Sequence, residues 1–328
     1  MRQVELKAYA VLSADNTVLT FYYDALKEFR NGMSVAPFDL FCDDDERWNV
    51  VSDKIMIVVF DDSFADYTGL SSTDFWFRGC EKLTTIIGQK NLKTDNVKSM
   101  WGMFEGCSSL TSLYLNRLNT GRVTDMRGMF SCCSGLKNLC LSGLNTANVT
   151  DMSWMFHGCS NLTNLDLNGL DTGNVRDMCG MFNGCSRLKN LNLGGFNTSK
   201  VRNMCGMFYD CSALKNLDLA GFNTSNVTDM CGMFNGCSAL MSLDVSEFKT
   251  DNVTNMFWMF GDCSTLRRLD LSGFSTDNVT NMDSMFDGCS CLESLNLGGF
   301  DKDMVSDADL IFEGCSNLMQ IEWGEGED

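Results

Sequence analysis

Thiols are the most abundant reactive groups in this sequence, with 17 cysteines in 328 residues against a single histidine. They can cross-link, ligate zinc or act as nucleophiles, so their spacing decides which chemistry to expect. Cys107, Cys133, Cys159, Cys185, Cys211, Cys237, Cys263, Cys289 and Cys315 are each 26 residues apart, and Cys80 stands 27 before the first of them. Each follows a phenylalanine by three residues, from Phe77 and Phe104 through to Phe312. Zinc needs Cys and His that converge, whereas this chain has only His157 and no C-x-x-C pair. Equivalent residues of stacked repeats carry parallel Cβ vectors, which disfavours disulfides along the ladder. The ladder cysteines therefore read as small, polarizable core side chains. Cys179, Cys205 and Cys231 make a second, shorter column, expected to be half exposed. A disulfide stays open among these extra thiols and the isolated Cys132, Cys140 and Cys291. Catalysis by a Cys-His or Ser-His-Asp set would have to use His157, and nothing places a nucleophile beside it. His157 stands where other units have Asn and reads as a surface residue. No catalytic residue, metal or cofactor is expected.

Carboxylates and amides supply the other candidate chemistry. Asp166, Asn192, Asp218, Asp244, Asp270 and Asn296 recur at one position of the repeat, and Asn164, Asn190, Asn216, Ser242, Arg268 and Ser294 recur two residues earlier. Both columns fall between inward leucine-type positions, so they share the outer face of a short strand. Three readings are open: a solvated polar sheet, a recognition surface for a protein or glycan, or a row of carboxylates countered by Ca²⁺. Acid–base hydrolysis by a pair such as Asp218 and Asp244 is disfavoured, because the same pair recurs along the stack. Departures from the repeat are the second clue to a site. Trp154 and Trp258 occupy a position that is Gly in most units, and exposed aromatics are good binding anchors.

The elements that must hold these residues follow from the repeat itself. One unit, 214–239, reads LKNLDLAGFNTSNVTDMCGMFNGCSA. Leu214, Leu217 and Leu219 form L-x-x-L-x-L, whose end alternates as a short strand should. Met230, Met233, Phe234 and Cys237 lie at i, i+3, i+4 and i+7, the apolar face of a short helical turn, with Asp229 as N-cap and Gly236 near the C-cap. Phe222 is expected to be buried in the turn between them, and NVT around Val227 is a candidate second strand. One unit of this size cannot bury enough to fold alone, so the ten copies must stack. The fold class expected is thus an α/β repeat solenoid, a leucine-rich-repeat-like right-handed coil of short strands and short helical turns. It divides into a non-repeat α+β N-terminal cap at 1–69, the solenoid at 70–321 and an acidic tail at 322–328. Within the cap, ALKEFR reads as a short helix and DDDER as an acidic loop.

Net charge narrows the partners. Lys+Arg of 25 against Asp+Glu of 43 gives −18, which repels a phosphate backbone, so nucleic acid is a poor partner. No apolar run reaches the length of a transmembrane segment; KIMIVVF is closed by Asp61 and Asp62. Glu5 and Lys7 interrupt what would be the apolar stretch of a signal peptide, which makes a cytoplasmic location the alternative to export. So many free thiols favour a reducing or anaerobic setting.

Units such as LDLSGFSTDNVTNMDSMFDGCS, 269–290, with their V-T-x-M-x-x-M-F-x-G-C core, resemble the BspA-type leucine-rich-repeat surface proteins, including the repeat known from mycoplasma lipoproteins. The likeness covers about 70–321. The leader AYAVLSADNTVLTFYYD and VVFDDSFAD also resemble the segment preceding such repeats. The resemblance implies a non-enzymatic cell-surface or secreted protein used in adhesion and protein contact. The expected partner is a protein or glycan, bound by the outward columns or by the Trp154 and Trp258 anchors. An intracellular protein-interaction scaffold is the alternative.

Overall fold

The computed structural model describes residues 5–37, 47–301 and 308–324. At its start, Lys7–Leu12 (β1) and Val18–Asp24 (β2) pair antiparallel around a turn in which Asn16 takes φ 61°. Met33–Ser34 (β3) joins the free side of β1, and Ile57–Phe60 (β4) pairs parallel with β2. Thr85–Ile87 (β5) then pairs parallel with β4, completing the order β3-β1-β2-β4-β5. The sheet therefore continues from the non-repeat segment into the first repeat. Phe21 sits at the centre of its buried side, stacked 4.9 Å from both Phe60 and Trp76. The helix expected at ALKEFR is instead a turn. Its apolar side chains find nothing to pack on, Phe29 being 87% and Leu26 44% exposed, and an isolated helical turn is not self-sustaining. The acidic loop at 43–46 and the tail residues 325–328 lie outside the described residues.

The repeats form a β-solenoid of about ten turns with little helix. The strand side comprises Ser112–Tyr114 (β6), Asn138–Cys140 (β7), Asn164–Leu165 (β8), Asn190–Leu191 (β9), Arg268–Asp270 (β10), Ser294–Leu297 (β11) and Gln320–Trp323 (β12). Neighbouring strands pair parallel with a shift of one repeat, as in Asn164 opposite Asn190 and Leu269 opposite Leu295. The strand expected in every coil is missing at 215–219 and 241–245, where the in-out alternation persists but Met241 N reaches Lys215 O only at 3.5 Å. The second strand expected at NVT is reduced to one parallel bridge per coil, running from Ser72 and Ser99 through Asp229 to Asn281.

The expected α component of the solenoid is overturned. In Met230–Cys237 the N–H groups of Met233, Asn235 and Cys237 bond to the carbonyls three residues back, at 3.2, 3.1 and 3.1 Å. The N–H groups of Met230, Gly232, Phe234 and Gly236 instead donate to Asn255, Phe257, Met259 and Gly261 in the next coil, at 3.0, 2.7, 2.9 and 2.9 Å. Alternate donors thus leave the coil. A helix would keep them inside. The change of direction is made by left-handed residues four apart, Gly232 at φ 56° and Gly236 at φ 71°. Overlapping three-residue turns direct i, i+3, i+4 and i+7 inward as a helix does, which is why the apolar period could not separate the two. Among the described residues the one α-helix is Ala308–Ile311 (α1), in the last coil, where the Met pair is lost.

Repeat columns of Val, Met, Phe, Cys and Leu fill the core. Phenylalanines stack from Phe77 to Phe312 with ring centroids 5.4 to 5.9 Å apart. Trp323, on β12, packs partly buried against the end of this core.

Candidate interaction surface

The sheet face places Asn164, Asp166, Asn190, Asn192, Asn216, Asp218, Asp244, Arg268 and Asp270 outward, all exposed. The two columns do different work. Oδ1 of Asp166, Asp218, Asp244 and Asp270 accepts the N–H two residues on, from Asn168, Ala220, Ser246 and Ser272, at 2.9 to 3.1 Å. Asn192 does the same for Gly194 at 3.0 Å. These side chains close the corner after the strand, which explains why Asp or Asn stands there in the coils from Asp166 to Asn296. At Asp244 the bonds from Ser246 hold the carboxyl below its ordinary value. By contrast, the side-chain amides of Asn164, Asn190 and Asn216 make no hydrogen bond among the described residues. A shallow groove of about 430 Å³ runs over Asn164, Asp166, Asn190, Asn192, Asn216 and Asp218. A second of the same volume spans Asp244, Arg268, Asp270, Ser294 and Glu322.

The turn face carries the aromatic departures. Trp154 and Trp258 keep the left-handed backbone of the glycines they replace, at φ 59° and 54°, and remain 40% and 36% exposed. They are four coils apart and do not meet. Trp154 packs edge-on against His157, centroids 5.0 Å apart, beside a groove shared with Phe75, Trp101 and Arg127. The Arg127 guanidinium lies 4.3 Å over the Trp101 ring and pairs with Asp125 at 2.7 Å and Asp151 at 3.5 Å. Burial nevertheless pushes the Asp151 carboxyl above its ordinary value. The expectation of a surface histidine is corrected: His157 is half-buried, and its Nδ1 is covered without a hydrogen-bond partner. Trp154 covers one side of the ring. Trp258 instead stacks on its neighbour Phe257, 5.1 Å apart.

Two columns do more than their sequence suggested. From Cys107 onward the ladder thiols are hydrogen-bond donors, each to the phenylalanine carbonyl of the preceding coil, as in Cys211 Sγ to Phe182 O and Cys237 Sγ to Phe208 O, both 3.2 Å. Buried threonines, from Thr120 to Thr276, bridge to the next coil; Thr224 Oγ1 donates to Lys249 O at 2.9 Å and accepts Lys249 N–H at 2.7 Å. The recurring N-T dipeptide was the available signal. A polar residue conserved in register beside the buried Phe222 position needs an internal partner.

The family described as "Mycoplasma protein of unknown function, DUF285" matches residues 65–140, 135–238 and 213–323. No curated protein matches the chain. Among solved structures it is similar to a leucine-rich repeat protein from Eubacterium ventriosum, with 17% identity, 97% of this chain and 83% of that chain covered, and a TM-score of 0.49. It is also similar to a leucine rich cell surface protein from Faecalibacterium prausnitzii, with 16% identity, 100% and 96% covered, and a TM-score of 0.32. It is similar as well to the T. pallidum leucine rich repeat protein, with 15% identity, 79% of this chain and 87% of that chain covered, and a TM-score of 0.33.

Proposed function

This chain belongs to the DUF285 family, repeats of the Mycoplasma/BspA type, and on that premise we propose that it is a non-enzymatic binding module. In this reading it is a bacterial surface or secreted adhesin-type protein that presents the sheet face of its solenoid to a protein ligand. One observation carries the reading: Asn164, Asn190 and Asn216 stand exposed and in register over the 430 Å³ groove, with their amides committed to nothing else. Each amide offers two donors and an acceptor to a ligand. Residues 1–69 serve as the cap of the 70–321 solenoid, a role supported by the sheet that runs from β4 into β5. The purified chain applied to arrays of host matrix proteins and of glycans is expected to bind protein. Binding to glycans alone replaces the ligand class, and binding to neither removes the proposal.

A second reading, an intracellular protein-interaction scaffold, is favoured by the 16 described cysteines, all of which are free. Protease treatment of intact native cells separates the two. An adhesin is cleaved from the surface, whereas a cytoplasmic scaffold is spared.

A further inference from the structure

The short cysteine column replaces, in three consecutive coils, a position that reads Trp101, Arg127 and Ser153 before it and Phe257 and Asp283 after it. Its backbone is fixed twice over. The side chains of Asp177, Asn203 and Asp229 accept the N–H groups of Cys179, Cys205 and Cys231 at 2.8, 3.0 and 2.9 Å. Gly180 and Gly206 then donate to the carbonyls of Cys205 and Cys231 in the following coils, at 2.8 and 2.7 Å. The thiols of Cys179, Cys205 and Cys231 are all half-buried. A sulfur from each of Cys205 and Cys231 and a carboxylate oxygen of Asp229 all lie within 4.8 Å of one another.

Two sulfurs and one carboxylate oxygen at this separation need only small side-chain rotations to meet a single ion, since Zn–S is about 2.3 Å and Zn–O about 2.0–2.2 Å. Thiolate ligands select borderline-soft cations over Ca²⁺ or Mg²⁺, whose preferred donors are oxygen.

We propose that Cys205, Cys231 and Asp229 form a binding site for a divalent cation of the zinc class. Ligation releases the two thiol protons to solvent and leaves a coordination position for water, so affinity rises with pH. The site stands on the turn face and is independent of the adhesin reading. The experiment is a Cd²⁺ titration of reduced, oxygen-free protein, followed by thiolate-to-cadmium charge-transfer absorption and by competition with Zn²⁺. The expected result is saturation at one equivalent per chain, with affinity at least about tenfold weaker in Cys205→Ser, Cys231→Ser and Asp229→Asn and unchanged in Cys132→Ser/Cys140→Ser. Alkylation mapping of the unsubstituted chain checks the same site without variants: Zn²⁺ should shield Cys205 and Cys231 and leave the exposed Cys132 and Cys140 reactive. Absence of a stoichiometric charge-transfer signal, or shielding that follows Cys132 and Cys140 instead, overturns the proposal.

Discussion

Burial pushes the Cys133, Cys185 and Cys237 thiols up to about 12, so at neutral pH the ladder sulfurs keep the protons they donate. Cys211 is equally enclosed, and its S–H meets the Phe182 carbonyl inside the core. Cys211→Ala should cost about 1–2 kcal/mol, because it opens a small cavity and removes one of the two donors to that carbonyl, the Cys185 N–H remaining at 3.0 Å; chemical denaturation measures the loss. The inward position of this column was legible from its spacing beside Met and Phe. Its hydrogen bond was not, since the acceptor lies one coil away and depends on stacking register. Trp154 illustrates the opposite balance. Its left-handed backbone stores about 1–3 kcal/mol of strain, and its partly covered ring returns a similar amount through burial. Trp154→Gly should therefore shift stability by less than about 1 kcal/mol, whereas Met155→Ala in the same coil, at a fully buried position, should cost about 2–5 kcal/mol. Thermal melts of the two variants compare them directly.

Elements in this molecule are defined by where their donors go. The Met-x-x-Met-Phe segment has a helical period, yet half of its N–H groups leave for the neighbouring coil. Gly236 fits a C-cap, but Gly232 inside the segment was the contrary sign: two glycines four apart weaken a helix but suit repeated turns of positive φ. The strand side was more legible, because in-out alternation survives even at 215–219, where the ladder hydrogen bonds do not. On the third side the threonine column ties coil to coil through both a donor and an acceptor. Thr224→Val keeps the side-chain volume and removes both functions, leaving the Lys249 N–H and carbonyl without their partner. The expected loss is about 2–3 kcal/mol, read from the denaturation midpoint. An equal-volume change that cost nothing would show these bonds to be dispensable.

At the scale of the whole molecule, structural and exposed roles are separated by side. Repetition fills the interior with the residues that first suggested chemistry, and the Asp column of the sheet face closes corners. The amide row Asn164, Asn190 and Asn216 is uncommitted on that face, and this row is where a ligand is proposed to sit. Its positions were legible in the sequence, but its distinction from the Asp column was not, because both alternate outward and only the corner hydrogen bonds divide them. The most direct measurement is binding to host matrix proteins by the unsubstituted chain and by Asn164→Arg/Asn190→Arg/Asn216→Arg, with melting temperatures taken on the same samples. Exposed substitutions of this kind change stability by about 0.5 kcal/mol or less each. The unsubstituted chain is expected to bind and the variant to lose at least about tenfold in affinity, on the order of 1.4 kcal/mol, while still folding. Equal binding by the folded variant would contradict this reading.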